Sequence, residues 1–263
     1  MIATIETTFV CIGNGFTVFV FWNQRVSLKR TCYLLINLAV TDFLVGATEL
    51  IVTATLTIPQ RKIIFAGNAT SAIAFLFSSV SLLSLLVISL ERAFAVLWPF
   101  RHRVASTRVY IISIIVIWGA GLCLTTVELL SIYTDKISEL ISFLIMNSVC
   151  FIALVVILVS YMAIRKKLRN TNPAVEAHNR KTIEQNVKLS KTMFVVIGLS
   201  FVFWLPGITM FTIKLFCNEC VSEIVLSIAV VLLMANSLVN PIVYSYRMPI
   251  FKEAMKKLFK STA

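Results

Sequence analysis

The sequence predicts an all-α membrane protein, a seven-transmembrane helix bundle plus a C-terminal amphipathic surface helix. Hydrophobic residues make up 59% of the 263 residues, charged residues only 14%, and the mean hydropathy is +0.92. A water-soluble domain of this size would carry more charge on its surface. The apolar runs recur from end to end, so the chain is predicted to form a single domain over residues 1–263.

Seven apolar runs reach about 20 residues, the length that a helix needs to cross a bilayer. Because the runs are continuous rather than alternating, they indicate helices and not the strands of a barrel. The first run begins almost at Met1, which predicts either a very short external N-terminus or a fragment. The predicted spans are Ile2–Trp22, Tyr33–Thr57, Ala69–Leu97, Val109–Ile132, Leu140–Ile164, Val187–Leu215 and Glu223–Tyr246.

Residues 247–260 follow the last span and are predicted to form the surface helix, with a short tail behind it. Pro249 suits the first turn of a helix. The apolar residues of this stretch share one face and its lysines lie on the other, which is typical of a helix lying on the inner leaflet.

The basic residues predict the orientation of the chain. Alternate loops and the C-terminal segment carry 20 of the 24 lysines and arginines, and the other four are Arg61, Lys62, Lys136 and Lys214. Since cytoplasmic loops are enriched in basic residues, the N-terminus is expected outside and the C-terminus in the cytoplasm of a multi-pass plasma-membrane protein. The sequon at Asn68, a candidate glycosylation site, then lies outside. This distribution of charge argues against nucleic-acid binding.

Asp42 lies deep inside the second predicted span. A carboxylate at that depth is costly unless it is paired or hydrated, so we expect it to have a function.

Short motifs recur in order along the spans. They are Gly13-Asn14 in span one, Leu38–Asp42 in span two, Glu91-Arg92-Ala93 at the end of span three, Trp118 in span four, Tyr161 near the inner end of span five, Phe203-Trp204-Leu205-Pro206 in span six, and Asn240-Pro241-Ile-Val-Tyr244 in span seven. With these motifs the whole chain resembles the rhodopsin-like (class A) G-protein-coupled receptors.

The resemblance implies a role for Asp42. In the family this aspartate binds a sodium ion, together with polar groups of spans three and seven. The matching positions here are Ser81, Asn236, Ser237 and Asn240. Oxygen ligands of these kinds suit a hard cation. The alternative is a hydrogen-bonded polar core that holds water and no ion.

The resemblance also implies an activation switch. The acidic neighbour holds the arginine in the inactive state, and the arginine meets a heterotrimeric G protein in the active state. Many members of the family add an acid in span six where this chain has Asn186, so raised basal activity is predicted. The residues assigned to coupling and switching are Glu91, Arg92, Tyr161, Trp204, Pro206, Pro241 and Tyr244.

The ligand pocket departs from some branches of the family. Ala74 replaces the aspartate of amine receptors, and Met234 replaces the lysine to which opsins attach retinal. A peptide or lipid ligand is therefore favoured over an amine, and no cofactor is expected apart from sodium as a modulator. Glu49 either meets a cationic ligand group or pairs with a polar neighbour. The candidate pocket residues are Glu49, Ala74, Glu128, Trp204 and Lys214.

The cysteines depart as well. Gly67 replaces the usual cysteine of span three, and the short loop between spans four and five has none. A local disulfide between Cys217 and Cys220 is a candidate. These departures, with Ala153 where span five usually has proline, resemble the melanocortin, lysophospholipid, cannabinoid and adenosine-type branch.

Two other functions are alternatives to a receptor that transduces an extracellular ligand. A channel or transporter would show repeats or broken helices lined with charge, and neither is present in the sequence. A signalling-deficient or fragmentary receptor-like protein remains the main alternative. An enzyme is not indicated, because both histidines, His102 and His178, lie in basic loops and no catalytic motif is present.

Overall fold

The computed structural model describes residues 2–23, 32–55, 63–134, 138–169, 180–247, 251–253 and 255–257. For residues 63–69 and 180–194 it describes the backbone alone. Seven long helices lie in this part of the chain: α1 (Ile2–Asn23), α2 (Cys32–Thr55), α3 (Ile63–Leu97), α4 (Thr107–Thr134), α5 (Glu139–Arg169), α6 (Arg180–Phe216) and α7 (Glu223–Arg247).

The helices form a ring in chain order, which closes where α7 packs against α1. The long α3 crosses the interior and contacts α2, α4, α5 and α6. We call the end of the bundle that carries Arg92 the Arg92 end, and the opposite end the Glu49 end.

The largest apolar cluster lies toward the Arg92 end, where Leu38, Leu85, Ile88 and Tyr244 are all buried. The outer surface of the bundle is apolar too, as Phe151 shows with 68% exposure. An exposed apolar belt of this kind is what a bilayer covers.

The span predictions hold well for helix type and less well for helix ends. Six helices are long and apolar enough to cross a membrane among the described residues, and the apolar part of α6 is the shorter segment Gly198–Lys214. The predicted sixth span, Val187–Leu215, lies inside the backbone of α6, and the side chains of its first part are outside the described atoms. α5 and α6 also continue into the basic stretches that the sequence assigned to a loop, because a helix can extend beyond the bilayer into water.

A short helix, Pro99–Val104, follows α3 and is called the loop helix below. Its proline occupies the first turn, where no backbone N–H is needed for the helix ladder.

The predicted surface helix at 247–260 lies partly outside the described residues. Residues 251–253 and 255–257 are helical. The ring of Phe251 is buried and meets Phe21 of α1 edge-on, with ring centroids 5.7 Å apart. This contact fixes the described part of the segment against the bundle.

Candidate functional site

Asp42 is fully buried and accepts hydrogen bonds from two other helices. Ser81 of α3 donates to Oδ1 over 2.7 Å, and Ser237 of α7 donates to the same oxygen over 2.8 Å. Asn240 of α7 donates from Nδ2 to Oδ2 over 2.6 Å. Hydrogen bonds to an ionised acceptor are the strong kind, so this network ties α2, α3 and α7 together.

Asn236, the fourth residue assigned to this network, is buried on α7 but is not among the donors to Asp42 in the described part of the chain. Asn14 is part of this network, although the sequence did not predict it there. Its Nδ2 donates to the backbone carbonyl of Ser237 over 2.9 Å, which joins α1 to the network.

Several buried oxygens near these residues have no hydrogen-bond partner among the described atoms. They include Oδ1 of Asn14, Oδ1 of Asn240 and the hydroxyl of Tyr244, and all three side chains are fully buried. Buried polar atoms are normally satisfied, so unpartnered oxygens indicate room for water or an ion.

A second polar link joins α2, α3 and α4. Asn37 donates to Ser84 over 2.9 Å, and Trp118 donates from its indole nitrogen to Oδ1 of Asn37 over 3.0 Å. α4 approaches α3 closely beyond this link, because a Cβ atom on Gly121 would lie 2.5 Å from a methyl group of Val80. Small residues at such contacts let membrane helices pack tightly.

Glu91 and Arg92 form an ion pair at the end of α3. Their side chains are only 9% and 4% exposed, so the pair is buried. The other carboxylate oxygen, Oε1, lies 2.7 Å from Nε2 of His102 in the loop helix and accepts a 3.3 Å hydrogen bond from Tyr110 of α4. The arginine is therefore withdrawn from the surface in this conformation.

The remaining switch residues lie where their spans were predicted. Trp204 packs against the cluster of Leu82, Cys150 and Ala153, and its indole nitrogen is buried without a partner in the described part. Pro206 lies inside α6, and Pro241 lies inside α7 against Gly13 of α1.

The last two switch residues, Tyr161 and Tyr244, lie on two different helices. Tyr161 is half-buried on α5, and Tyr244 is buried on α7 within the largest apolar cluster.

The candidate pocket residues do not meet at one point among the described contacts. Glu128 of α4 accepts a hydrogen bond from Ser142 of α5, which joins these two helices. Nζ of Lys214 on α6 lies 2.7 Å from Oε1 of Glu223 on α7. The side chain of Glu223 is 81% exposed. Glu49 and Ala74 are half-buried on α2 and α3.

Two further predicted sites lie near the Glu49 end. Cys217 and Cys220 are joined by a disulfide beside a short 3-10 helix, with Cα atoms 5.3 Å apart. The backbone at Asn68 lies inside α3, whereas the sequence placed it in a loop, because α3 begins at Ile63 and not at Ala69. The side chain of Asn68 is outside the described atoms, so glycosylation there stays a prediction.

Sequence reasoning missed Asn14, Asn37, His102 and Tyr110 as parts of these networks. Asn14 and Asn37 interrupt apolar runs, which is a usable signal. His102 and Tyr110 gave no signal, since a histidine in a basic loop and a tyrosine at the start of a span are ordinary surface features.

Comparison with known proteins agrees with this architecture. The family model described as 7 transmembrane receptor (rhodopsin family) matches residues 13–244. Human lysophosphatidic acid receptor 3 is 26% identical, and the match covers 95% of this chain and 78% of that receptor. Bovine lysophosphatidic acid receptor 1 is 27% identical, covering 91% of this chain and 70% of its own length. The crystal structure of squid rhodopsin superimposes with a TM-score of 0.83 at 18% identity, covering 99% of this chain and 84% of that one.

The family match spans far more than half of the chain, from Gly13 to Tyr244. The matched family is a receptor family and not an enzyme family, and its members reside in the membrane as multi-pass proteins. The chain belongs to the rhodopsin family of seven-transmembrane receptors and is a class A G-protein-coupled receptor.

Proposed function

We propose that this receptor detects a single-chain phospholipid with an anionic headgroup at the Glu49 end and couples to a G protein at the Arg92 end. The relatives named as lysophosphatidic acid receptors support a lipid ligand. The observation that carries the headgroup assignment is Lys214, the one cationic side chain at the Glu49 end among the residues the structure describes. Its partner Glu223 is exposed and can be displaced.

A phosphate would take the place of the Glu223 carboxylate beside the Lys214 ammonium. An exposed ion pair of this kind contributes only about 0–1 kcal/mol, so its exchange for a ligand phosphate costs little. The acyl chain would lie against the apolar cluster below, where Trp204 and Ile208 face Leu82. This arrangement gives one charged contact and a long apolar contact, as an amphiphile requires.

The test compares lysophosphatidic acid with lysophosphatidylcholine of the same acyl chain in a cellular G-protein activation assay. We expect the anionic lipid to be the more potent. Lys214→Ala should lower its potency about tenfold, the effect of losing one charge-assisted contact. Lys214→Arg should keep the potency, and Glu223→Gln should raise it by freeing the ammonium. Equal potency of the two lipids, or no effect of Lys214→Ala, would refute the headgroup assignment.

We propose in addition that a sodium ion binds beside Asp42. The residues fit such an ion, because two serine hydroxyls contact a buried carboxylate that has no cationic partner among the described residues. The unpartnered Oδ1 of Asn240 is a further oxygen donor for a hard cation. When bound, the ion would neutralise Asp42 and hold α2, α3 and α7 in the inactive arrangement.

A sodium titration of agonist affinity tests this proposal, with potassium as the control cation. Sodium should weaken agonist binding to the wild type and leave Asp42→Asn unaffected. An unchanged affinity in the wild type, with a folded and ligand-binding receptor, would contradict the ion site.

Coupling at the Arg92 end requires that this end faces the cytoplasm. Exposed basic residues at this end support that orientation, among them Arg101, Arg103, Arg108, Lys166 and Lys167. An epitope placed after Ala263 should bind antibody only after permeabilisation of cells. Labelling of intact cells would reverse the orientation.

A further inference from the structure

The loop helix places a histidine against the ion pair of α3. Nε2 of His102 lies 2.7 Å from Oε1 of Glu91, and the hydroxyl of Tyr110 lies 3.2 Å from the same nitrogen. The imidazole also packs edge-on against Phe94, with ring centroids 6.0 Å apart. Three segments of the chain therefore converge on one carboxylate.

The two oxygens of this carboxylate have different partners. Oε2 faces Arg92, whereas Oε1 faces His102 and Tyr110. A carboxylate that is held at only one oxygen can rotate about its terminal bonds. Held at both, it keeps Oε2 aimed at the guanidinium and keeps the arginine withdrawn.

We propose that His102 is a positioning residue that acts through Glu91 to hold Arg92 in its buried state, and so sets the basal activity of the receptor. The proposal rests on the G-protein coupling of the family and not on the ligand assignment. The side chains that restrain Arg92 through Glu91 then lie in the loop helix and at the start of α4. The acid that many members of the family carry in span six is Asn186 here, and its side chain lies outside the described atoms.

Tyr110 has a smaller part in this arrangement. Its hydrogen bond to Glu91 is 3.3 Å long, longer than is usual for an O–H donor, whereas the contact of His102 is 2.7 Å. Removing the tyrosine hydroxyl should therefore release the arginine less than removing the imidazole does.

The test measures ligand-free G-protein activation, normalised to receptor at the cell surface. His102→Ala should raise basal activity about tenfold, as expected when one charge-assisted hydrogen bond is lost from the inactive state. His102→Gln should restore the wild-type level, because its amide nitrogen can donate to Oε1. Tyr110→Phe should give a smaller rise. Val104→Ala, an exposed position on the same short helix, is the matched control and should change nothing.

A double mutant separates positioning from packing. Glu91→Gln should itself raise basal activity, since it removes the ion pair. In the Glu91→Gln background, His102→Ala should add nothing, because the residue through which it acts is already disabled. An additive rise in the double mutant, or a failure of His102→Gln to restore the basal level, would overturn the proposal.

The outcome also distinguishes this proposal from the assignment of the ligand. If Glu91→Gln raises basal activity and His102→Ala does not, the positioning role is refuted and the ligand proposal is untouched. If His102→Ala raises basal activity and lysophosphatidic acid has no effect on the wild type, the positioning role stands and the ligand class is wrong.

Discussion

Two substitutions of Asp42 should have very different effects on stability. Both Asp42→Asn and Asp42→Ala remove the buried charge, so the cost of burying a carboxylate cancels when the two variants are compared. The two variants differ in whether the donors Ser81, Ser237 and Asn240 keep an acceptor for their hydrogen bonds.

Asp42→Ala leaves these three buried donors without an acceptor. Each unsatisfied buried donor costs about 1–3 kcal/mol, so the total loss should be about 3 kcal/mol or more. Asp42→Asn keeps one acceptor oxygen for the two serines. Its new amide nitrogen would face Nδ2 of Asn240, but the Oδ1 of Asn240 has no partner in the described structure. A flip of that amide restores the bond, so the cost should be about 1 kcal/mol or less.

The assay is thermal unfolding of the purified receptor in detergent, in potassium buffer so that sodium linkage does not contribute. For a chain of this size, about 3 kcal/mol corresponds to a fall in Tm of about 6 to 12 °C, which Asp42→Ala should show and Asp42→Asn should not. Adding Asn240→Ala to Asp42→Asn should lower the Tm further, because the hydrogen bond restored by the flip of the Asn240 amide is then lost. Equal destabilisation by the two single substitutions would refute the reasoning about the donors.

Two further predictions concern packing and covalent structure. Gly121→Ala should destabilise the receptor, because the new methyl group would lie 2.5 Å from Val80, whereas Gly119→Ala on the same helix meets nothing within 4 Å and is the matched control. Adding Val80→Ala to Gly121→Ala should restore part of the lost thermal stability, because the smaller side chain makes room for the new methyl group. Equal Tm values for Gly121→Ala and Gly119→Ala would contradict the close contact. Replacing both Cys217 and Cys220 by serine should cost about 2 kcal/mol at most, since so short a loop restrains little of the unfolded chain. A larger loss of thermal stability would show that the bridge holds more than its own turn.

The sequence predicted the helices well because bilayer crossing imposes length and polarity on each span. It predicted helix ends poorly where the helices leave the bilayer. The backbone of α5 continues through its lysines to Arg169, and α6 begins at Arg180, since water does not penalise charged residues in a helix.

The polar core was predictable in part, and the reason is geometric. Ser81, Ser237 and Asn240 follow from motif spacing on α3 and α7. The bond from Asn14 to a backbone carbonyl of α7 depends on how closely two helices approach, and no spacing within one helix encodes that distance. The same holds for His102, which reaches Glu91 only because the loop helix turns back toward α3.

Nucleotide exchange on purified heterotrimeric G proteins is the most direct measure of coupling by this receptor. The receptor would be reconstituted in lipid vesicles and titrated with lysophosphatidic acid, with Arg92→Ala as the uncoupled control. We predict concentration-dependent exchange by the wild type and none by Arg92→Ala at the same amount of folded receptor. No exchange by a folded wild-type receptor, with or without lipid, across the G-protein classes would contradict the account.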